Sequence, residues 1–269
     1  MQDTMWRGLG AVVGGGAGVL GGIGLRAALD SGPLAALLAL AALIAVMAVL
    51  YLAARANQDP ASAGGEVLPG VLLGINTGIN AVLLTAIAGI APAFVICLIP
   101  ALAIIEPVAR SDVYQAFVGW ANWLLPLSWP IVALGLAFLL VSLLGHLIGL
   151  ATGSDFFKLR KVFLDWKTGT FFQQGGIFGN ANLNPNSTGY NMGDFAFLRK
   201  DAGGVEYLTE HEAGHTLNLA AFGFVVHLIG ALDENVFGGH NAAYTELFAE
   251  SNVPVASRQG PIFPWWGPA

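Results

Sequence analysis

Residues 67–105 run for 39 positions without one charged side chain, close to twice what a single membrane crossing needs. A helix crosses the hydrocarbon of a bilayer in about 20 apolar residues. Gly89 and Pro92 fall where the run should break, which predicts a third span and a shorter fourth segment that can enter and return. Two further apolar stretches precede it, residues 8–29 and 33–54, separated by the turn signal Asp30-Ser31-Gly32-Pro33. The loop at 55–66 is polar and small. Residues 106–123 mix Glu106, Arg110 and Asp112 with Tyr114, Trp120 and Trp123, the blend expected at a membrane interface. Residues 124–150 form the last clear span.

Composition agrees. Hydrophobic residues make up 55% of the 269 and charged residues 10%, against about 25% charged in a soluble domain. The chain therefore reads as an integral membrane protein. Residues 1–153 hold 4 Lys/Arg and 6 Asp/Glu, and residues 154–269 hold 7 and 11, so the second part is at least partly aqueous. A net charge of -6, with no basic cluster outside 158–161, argues against a nucleic-acid partner. The single cysteine, Cys97, lies in an apolar run and is expected only to pack. The first apolar stretch is long and Gly-rich, unlike a cleaved signal peptide.

Three spans carry glycine at every fourth position: Gly10, Gly14, Gly18 and Gly22; Gly70, Gly74 and Gly78; Gly145, Gly149 and Gly153. Such rows let helix backbones approach closely, which drives association in lipid. A tightly packed bundle is expected. Asn76 and Asn80 share a helix face and should hydrogen-bond between helices, as should His146. No ionisable residue sits mid-span in a way that suggests an ion path. Lys158, Arg160, Lys161 and Lys167 follow the last span, whereas each earlier loop holds at most one basic residue. The positive-inside rule thus places residues 154–269 in the cytoplasm, and a bacterial inner (plasma) membrane is the expected location. The N-terminus lies outside if 67–105 spans twice, and inside if that segment enters and returns.

Beyond residue 153 the pattern changes. Lys161 to Phe172 reads as two short strands around a Lys-Thr-Gly turn, 175–191 as a loop, and 192–199 as a strand. A helix should begin near Thr209, where Thr209-x-x-Glu212 fits a capping box. It carries His211-Glu212-Ala213-Gly214-His215. Two histidines four apart share a helix face and can bind one metal ion, and Glu212 can hold and deprotonate a water on that ion. A cap role for Glu212 competes with this, and the metal role is expected to prevail. The helix stays apolar through Leu232, as a core helix or one dipping into the bilayer. After a loop at 233–241, residues 242–251 should form a helix with Glu246 and Glu250 on one face. Catalytic zinc takes three protein ligands, so Glu246 is the expected third, with Glu250, Asp233, His240 and Glu234 as alternatives. Glu250 could otherwise orient a ligand histidine from outside the metal shell. His227 reads as a core or interface histidine.

His-Glu-x-x-His followed by Glu-x-x-x-acidic resembles the gluzincin metallopeptidases over about residues 190–251. The resemblance implies zinc held by His211, His215 and Glu246, with Glu212 as general base and Glu250 in place of the usual Asp behind the ligands. Asn218 matches an Asn found three residues after the second histidine in related membrane-bound metalloproteases. His240 or Tyr244 would stabilise the oxyanion, a task gluzincins give to a His or Tyr. Metzincins are excluded by Asn218 and Ala221 at their Gly and third-His positions. Site-2 proteases share His-Glu-x-Gly-His, but Leu232-Asp233 is followed here by Glu.

The expected fold is thus mainly α: a transmembrane bundle of four to five spans over 1–153, then a small α+β zincin-like domain over 154–269. The expected function is a membrane-embedded zinc metallopeptidase whose partners are the lipid bilayer and a protein or peptide substrate, with oligomerisation open. The strand at 192–199 would offer its edge to an extended peptide, and the tail 261–269 would anchor through Trp265 and Trp266 or cover the cleft. A membrane assembly factor with a structural zinc site is the alternative; a transporter component is weakened by the bare spans.

Overall fold

The computed structural model describes residues 2–57, 63–181, 188–203, 205–238, 243, 245, 246 and 249. Five helices are long and apolar enough to cross a membrane. They are α1 (Gln2–Ser31), α2 (Pro33–Ala56), α3 (Ala63–Ala88), α7 (Trp129–Thr152) and α9 (Val205–Leu232). Between α3 and α7 lie the short α4 (Ile90–Ala101), a 3₁₀ turn at Leu102–Ile104, α5 (Glu106–Ala109) and α6 (Asp112–Asn122). Gly89, with φ 88°, ends α3 where the break was expected. The helix α6 is amphipathic: Val113, Phe117 and Trp120 are exposed, while Tyr114, Gln115 and Val118 are buried.

Two glycine rows do what their spacing suggests. Along α1, a Cβ at Gly10, Gly14 or Gly18 would collide with the α3 backbone at Val67, Val71 and Ile75. On α3, a Cβ at Gly70, Gly74 or Gly78 would strike the α1 backbone in turn. The contacts advance together, so α1 and α3 run parallel, with α2 returning between them. The third row behaves differently. Gly149 faces Ser154, Phe157 and Lys158 in the chain that follows, and Gly153, at φ 77°, ends α7 in the left-handed region. That row lets the chain fold back on its own helix; it joins no second span.

Arg7 at the start of α1 is buried against Glu66 at the start of α3, and its guanidinium also reaches the Ile104 carbonyl at 3.4 Å. The chain therefore returns through α4 to the end of the bundle where α1 and α3 begin. Arg55, at the C-terminus of α2, belongs to the same end.

A four-stranded mixed sheet sits between α7 and α9. Its strands are β1 (Leu159–Asp165), β2 (Thr170–Gly175), β3 (Gly189–Asn191) and β4 (Phe195–Leu198), in the order β1-β2-β4-β3. The expected hairpin is β1–β2, antiparallel with Phe163 opposite Phe172. The short helix α8 (Gly176–Asn180) and β3 lie in the segment expected to be loop. The pleat sends β4 side chains both ways. Phe197 faces α7, with its ring 6.0 Å from Phe138, while Ala196 and Leu198 pack with Phe172 against Ala213 of α9. The strand expected at 192–199 is thus shorter, and it is interior: β2 pairs on one side and β3 on the other. It has no edge to offer a peptide. The edge strand beside α9 is β3.

Asp194, in the turn between β3 and β4, is fully buried. One carboxyl oxygen accepts from Asn122 Nδ2 at 2.8 Å, and the other has no hydrogen-bond partner among the described residues. Burial pushes its carboxyl up to about 8, only partly offset by that hydrogen bond. The raised folded-state value means that the folded protein holds a proton the unfolded chain releases above about pH 4. Stability owed to this group should fall as pH rises from there through about 8. Asp194→Asn should keep the Asn122 bond and lose that slope. The check is the difference in unfolding midpoint between variant and wild type at pH 5 and pH 8.5, which should widen at the higher pH.

Candidate metal centre

The helix α9 begins at Val205, one turn before Thr209, because nothing in Val205-Glu-Tyr-Leu-Thr interrupts a helix. Thr209 is therefore interior, and the expected capping box does not form. Glu212 is released from that competing role. The small residues of the motif and its histidines then take different neighbours. Ala213 is small and lies on the sheet beside Ala196. Gly214 lets Ala249 approach so closely that a Cβ would stand 2.7 Å from the Ala249 oxygen. His211 and His215 are left facing the helical residues Thr245 and Glu246.

The two imidazoles and the Glu246 carboxylate converge. His211 Nε2 and His215 Nε2 are 3.2 Å apart, His211 Nε2 lies 3.2 Å from Glu246 Oε2, and His215 Nε2 lies 3.3 Å from Glu246 Oε1. The three residues form a group that could hold a metal ion. Donors bound tetrahedrally at about 2.05 Å stand about 3.3 Å from one another, so the observed triangle has the right edge for one ion. Charge points the same way. Glu212 and Glu246 are 3% and 5% exposed, and two acidic side chains buried this close together call for a compensating positive charge, which a divalent cation would bring. Burial pushes the Glu246 carboxyl up, but the charges and hydrogen bonds of His215 and His211 outweigh it and hold it well below the usual range.

Glu212 stands over the edge strand. A Cβ at Gly189 would lie 3.0 Å from its Oε1, and its Oε2 has no hydrogen-bond partner among the described residues. Asn191 Nδ2 donates to the Glu212 carbonyl at 2.9 Å and to Thr216 Oγ1 at 3.1 Å, tying β3 to the motif. Asn218, one turn beyond His215, donates to the Thr245 carbonyl at 3.4 Å. It supports the segment that carries Glu246.

His227 lies 12 residues beyond His215, about 18 Å along a straight helix. Yet the two rings are 6.2 Å apart, because α9 breaks at Gly223, whose φ of 77° and ψ of 172° turn the chain back. Such a break frees carbonyls, and a buried orphan costs about 1–3 kcal/mol. Asn76 Nδ2 answers the carbonyls of Ala220 and Ala221 at 3.0 Å each, and the Leu127 carbonyl takes the Phe224 amide. Asn80 holds Asn76 in place, so both asparagines serve the broken helix as interhelical hydrogen-bonders. His227 is not one of the three grouped residues; its Nε2 lies 3.3 Å from the Asn191 carbonyl, which can only accept. After Leu232 the chain forms a π-helical turn, Asp233–Gly238, where a loop was expected. His240, Tyr244 and Glu250, and the tail at 261–269, lie outside the described residues.

No protein-family model, curated protein or solved structure matches this chain. The likeness to gluzincins stays with the motif residues themselves. Of the expected site residues, His211, Glu212, His215, Asn218 and Glu246 come together. No sequence pattern singles out Asn191, nor Tyr51 and Arg55, which hold Asp233 at 2.9 and 3.0 Å across 182 and 178 positions of chain.

Proposed function

We propose that this chain is a membrane-embedded zinc metallopeptidase that hydrolyses peptide bonds. The observation that carries the reading is the triangle of His211, His215 and Glu246 beside a buried carboxylate, Glu212, that is not one of its corners. Three protein donors leave a coordination position open, as catalytic zinc requires; structural zinc is closed by four. Zinc, when bound there, supplies Lewis acidity, lowering the pKa of water and stabilising negative charge on a carbonyl oxygen.

The chain's own residues do the rest. His211 and His215 donate through Nε2, and Glu246 contributes the one anionic ligand. Glu212 takes a proton from the attacking water at Oε2, which has no hydrogen-bond partner among the described residues, and returns it to the leaving amine. Asn191 keeps β3 against the motif, so that Gly189 leaves room for the Glu212 carboxylate. The sheet packs against the motif through Phe172, Ala196 and Leu198 on Ala213. Arg7, Arg55 and Arg110 belong to the end of the bundle where α1 begins, and Arg26 to the other, which supports a cytoplasmic placement for the site's end. The zinc, the peptide substrate and the side of the membrane are all part of this proposal.

Its test is metal content and proteolysis in detergent-solubilised full-length protein. One zinc per chain is expected, with peptide cleavage that a chelator abolishes and added zinc restores. Protein that takes up no zinc after chelation and refilling, or cleaves equally well without it, would overturn the proposal.

A further inference from the structure

Thr245, the residue before Glu246, is held from three sides. Asn218 of α9 donates to its carbonyl. Gly230, beyond the break in α9, lets its side chain in, since a Cβ there would occupy the same space. The third side is α2, where the Tyr51 phenol oxygen faces the hydroxyl and the amide of Thr245. Tyr51 is fully buried, and its own proton goes to Asp233 Oδ2 at 2.9 Å. Arg55, one turn further along α2, pairs with the same oxygen at 3.0 Å. A buried phenol that donates to a carboxylate itself held by Arg55 is fixed in place, so the surface that Thr245 meets is set by a transmembrane helix remote in sequence.

We infer that α2 sets the metal affinity of the centre, with Tyr51 a positioning residue that fixes Glu246 through Thr245 while Arg55 and Asp233 fix Tyr51. The inference rests on the reading of His211, His215 and Glu246 as metal ligands. Its physical basis is preorganisation. Glu246 lies beyond α9 and the turn at Asp233–Gly238 that follows it, and a carboxylate that must be ordered on binding loses affinity to entropy. The Tyr51–Asp233–Arg55 chain removes that freedom before the ion arrives. Partners one step behind metal ligands are worth 10–100-fold in affinity. Tyr51 acts one residue further out, so its loss should sit near the lower bound.

The test is a double-mutant cycle in zinc affinity on the full chain, with Tyr51→Phe, Thr245→Val and the pair. Each single variant should weaken zinc about tenfold, and the double should be no worse than either, because both cut the same link. The visible spectrum of the cobalt-loaded protein should shift in Tyr51→Phe, a change that a purely structural role would not produce. Should Tyr51→Phe fail to fold, Thr245→Val alone reads the affinity and the cobalt spectrum. Unchanged affinity and spectrum in the singles, or strictly additive losses, would overturn the role of α2. If instead wild type and His211→Ala hold equally little zinc, the metal centre itself is wrong, which is a separable result.

Discussion

Glu212→Gln should keep its zinc and lose turnover by about 10²- to 10⁴-fold, the share a positioned base commonly supplies. The amide matches the carboxylate in size and can occupy the same space above Gly189. It is not a corner of the donor triangle, so the ion should stay. What it cannot do is take a proton, and no other described carboxylate is placed to do so: Glu246 is engaged by both histidines. The substitution also removes a buried carboxyl group with an oxygen that lacks a hydrogen-bond partner among the described residues. The metal-free protein should therefore melt no lower than wild type, and any gain would mark Glu212 as a residue kept at a cost in stability. Zinc content, turnover and melting are measured on one preparation. Full activity with zinc in place would remove Glu212 from the mechanism, and loss of the ion would make it a ligand.

The parts of this protein that could be read from sequence are those where one residue type has one physical consequence. Long runs without charge report bilayer crossings directly, and α1, α2, α3 and α7 sit where the runs lie. His211 and His215 share a helix face whatever surrounds them. The glycine rows show the limit of such reading. Equal spacing at Gly10–Gly22, Gly70–Gly78 and Gly145–Gly153 says that backbone is bare, but not what meets it. Two rows meet each other, and the third meets the chain's own continuation. The strand β3 was hidden because three residues, Gly189-Tyr190-Asn191, are too few to show alternation, and its absence made β4 look like an edge.

The break in α9 was hidden for another reason. A lone glycine in an apolar helix is usually tolerated, and what makes Gly223 a turning point is Asn76, 147 positions earlier, waiting for the freed carbonyls. Read alone, Asn76 and Gly223 are each unremarkable. Tyr51 is the same case: one tyrosine in an apolar run, given a role only by Asp233 and Thr245. Local patterns gave the motif, and pairings across more than a hundred residues gave the means of holding it.

Glu246→Ala should abolish zinc binding at stoichiometric concentrations, weakening it by more than about a hundredfold. Partners outside the metal shell already carry 10–100-fold, so a ligand must carry more. The loss has two components. One of three donors disappears, leaving two imidazoles and water, and the only anion in the triangle disappears with it. Glu246→Gln separates them, since its amide oxygen can still reach the ion but brings no charge. It should bind zinc more weakly than wild type and more tightly than the alanine variant. Glu246→Asp withdraws the carboxylate by one methylene from a site whose edges match a tetrahedral ion within about 0.1 Å of the expected 3.3 Å, and it too should fall between. Because the ligand histidines must be neutral, acid should release the ion from the wild type and from the Gln and Asp variants, and at higher pH from the two variants. Zinc content after dialysis against a graded chelator gives the order. Retention of wild-type affinity in Glu246→Ala would move the third ligand elsewhere and take with it the case that α2 tunes the centre through Thr245.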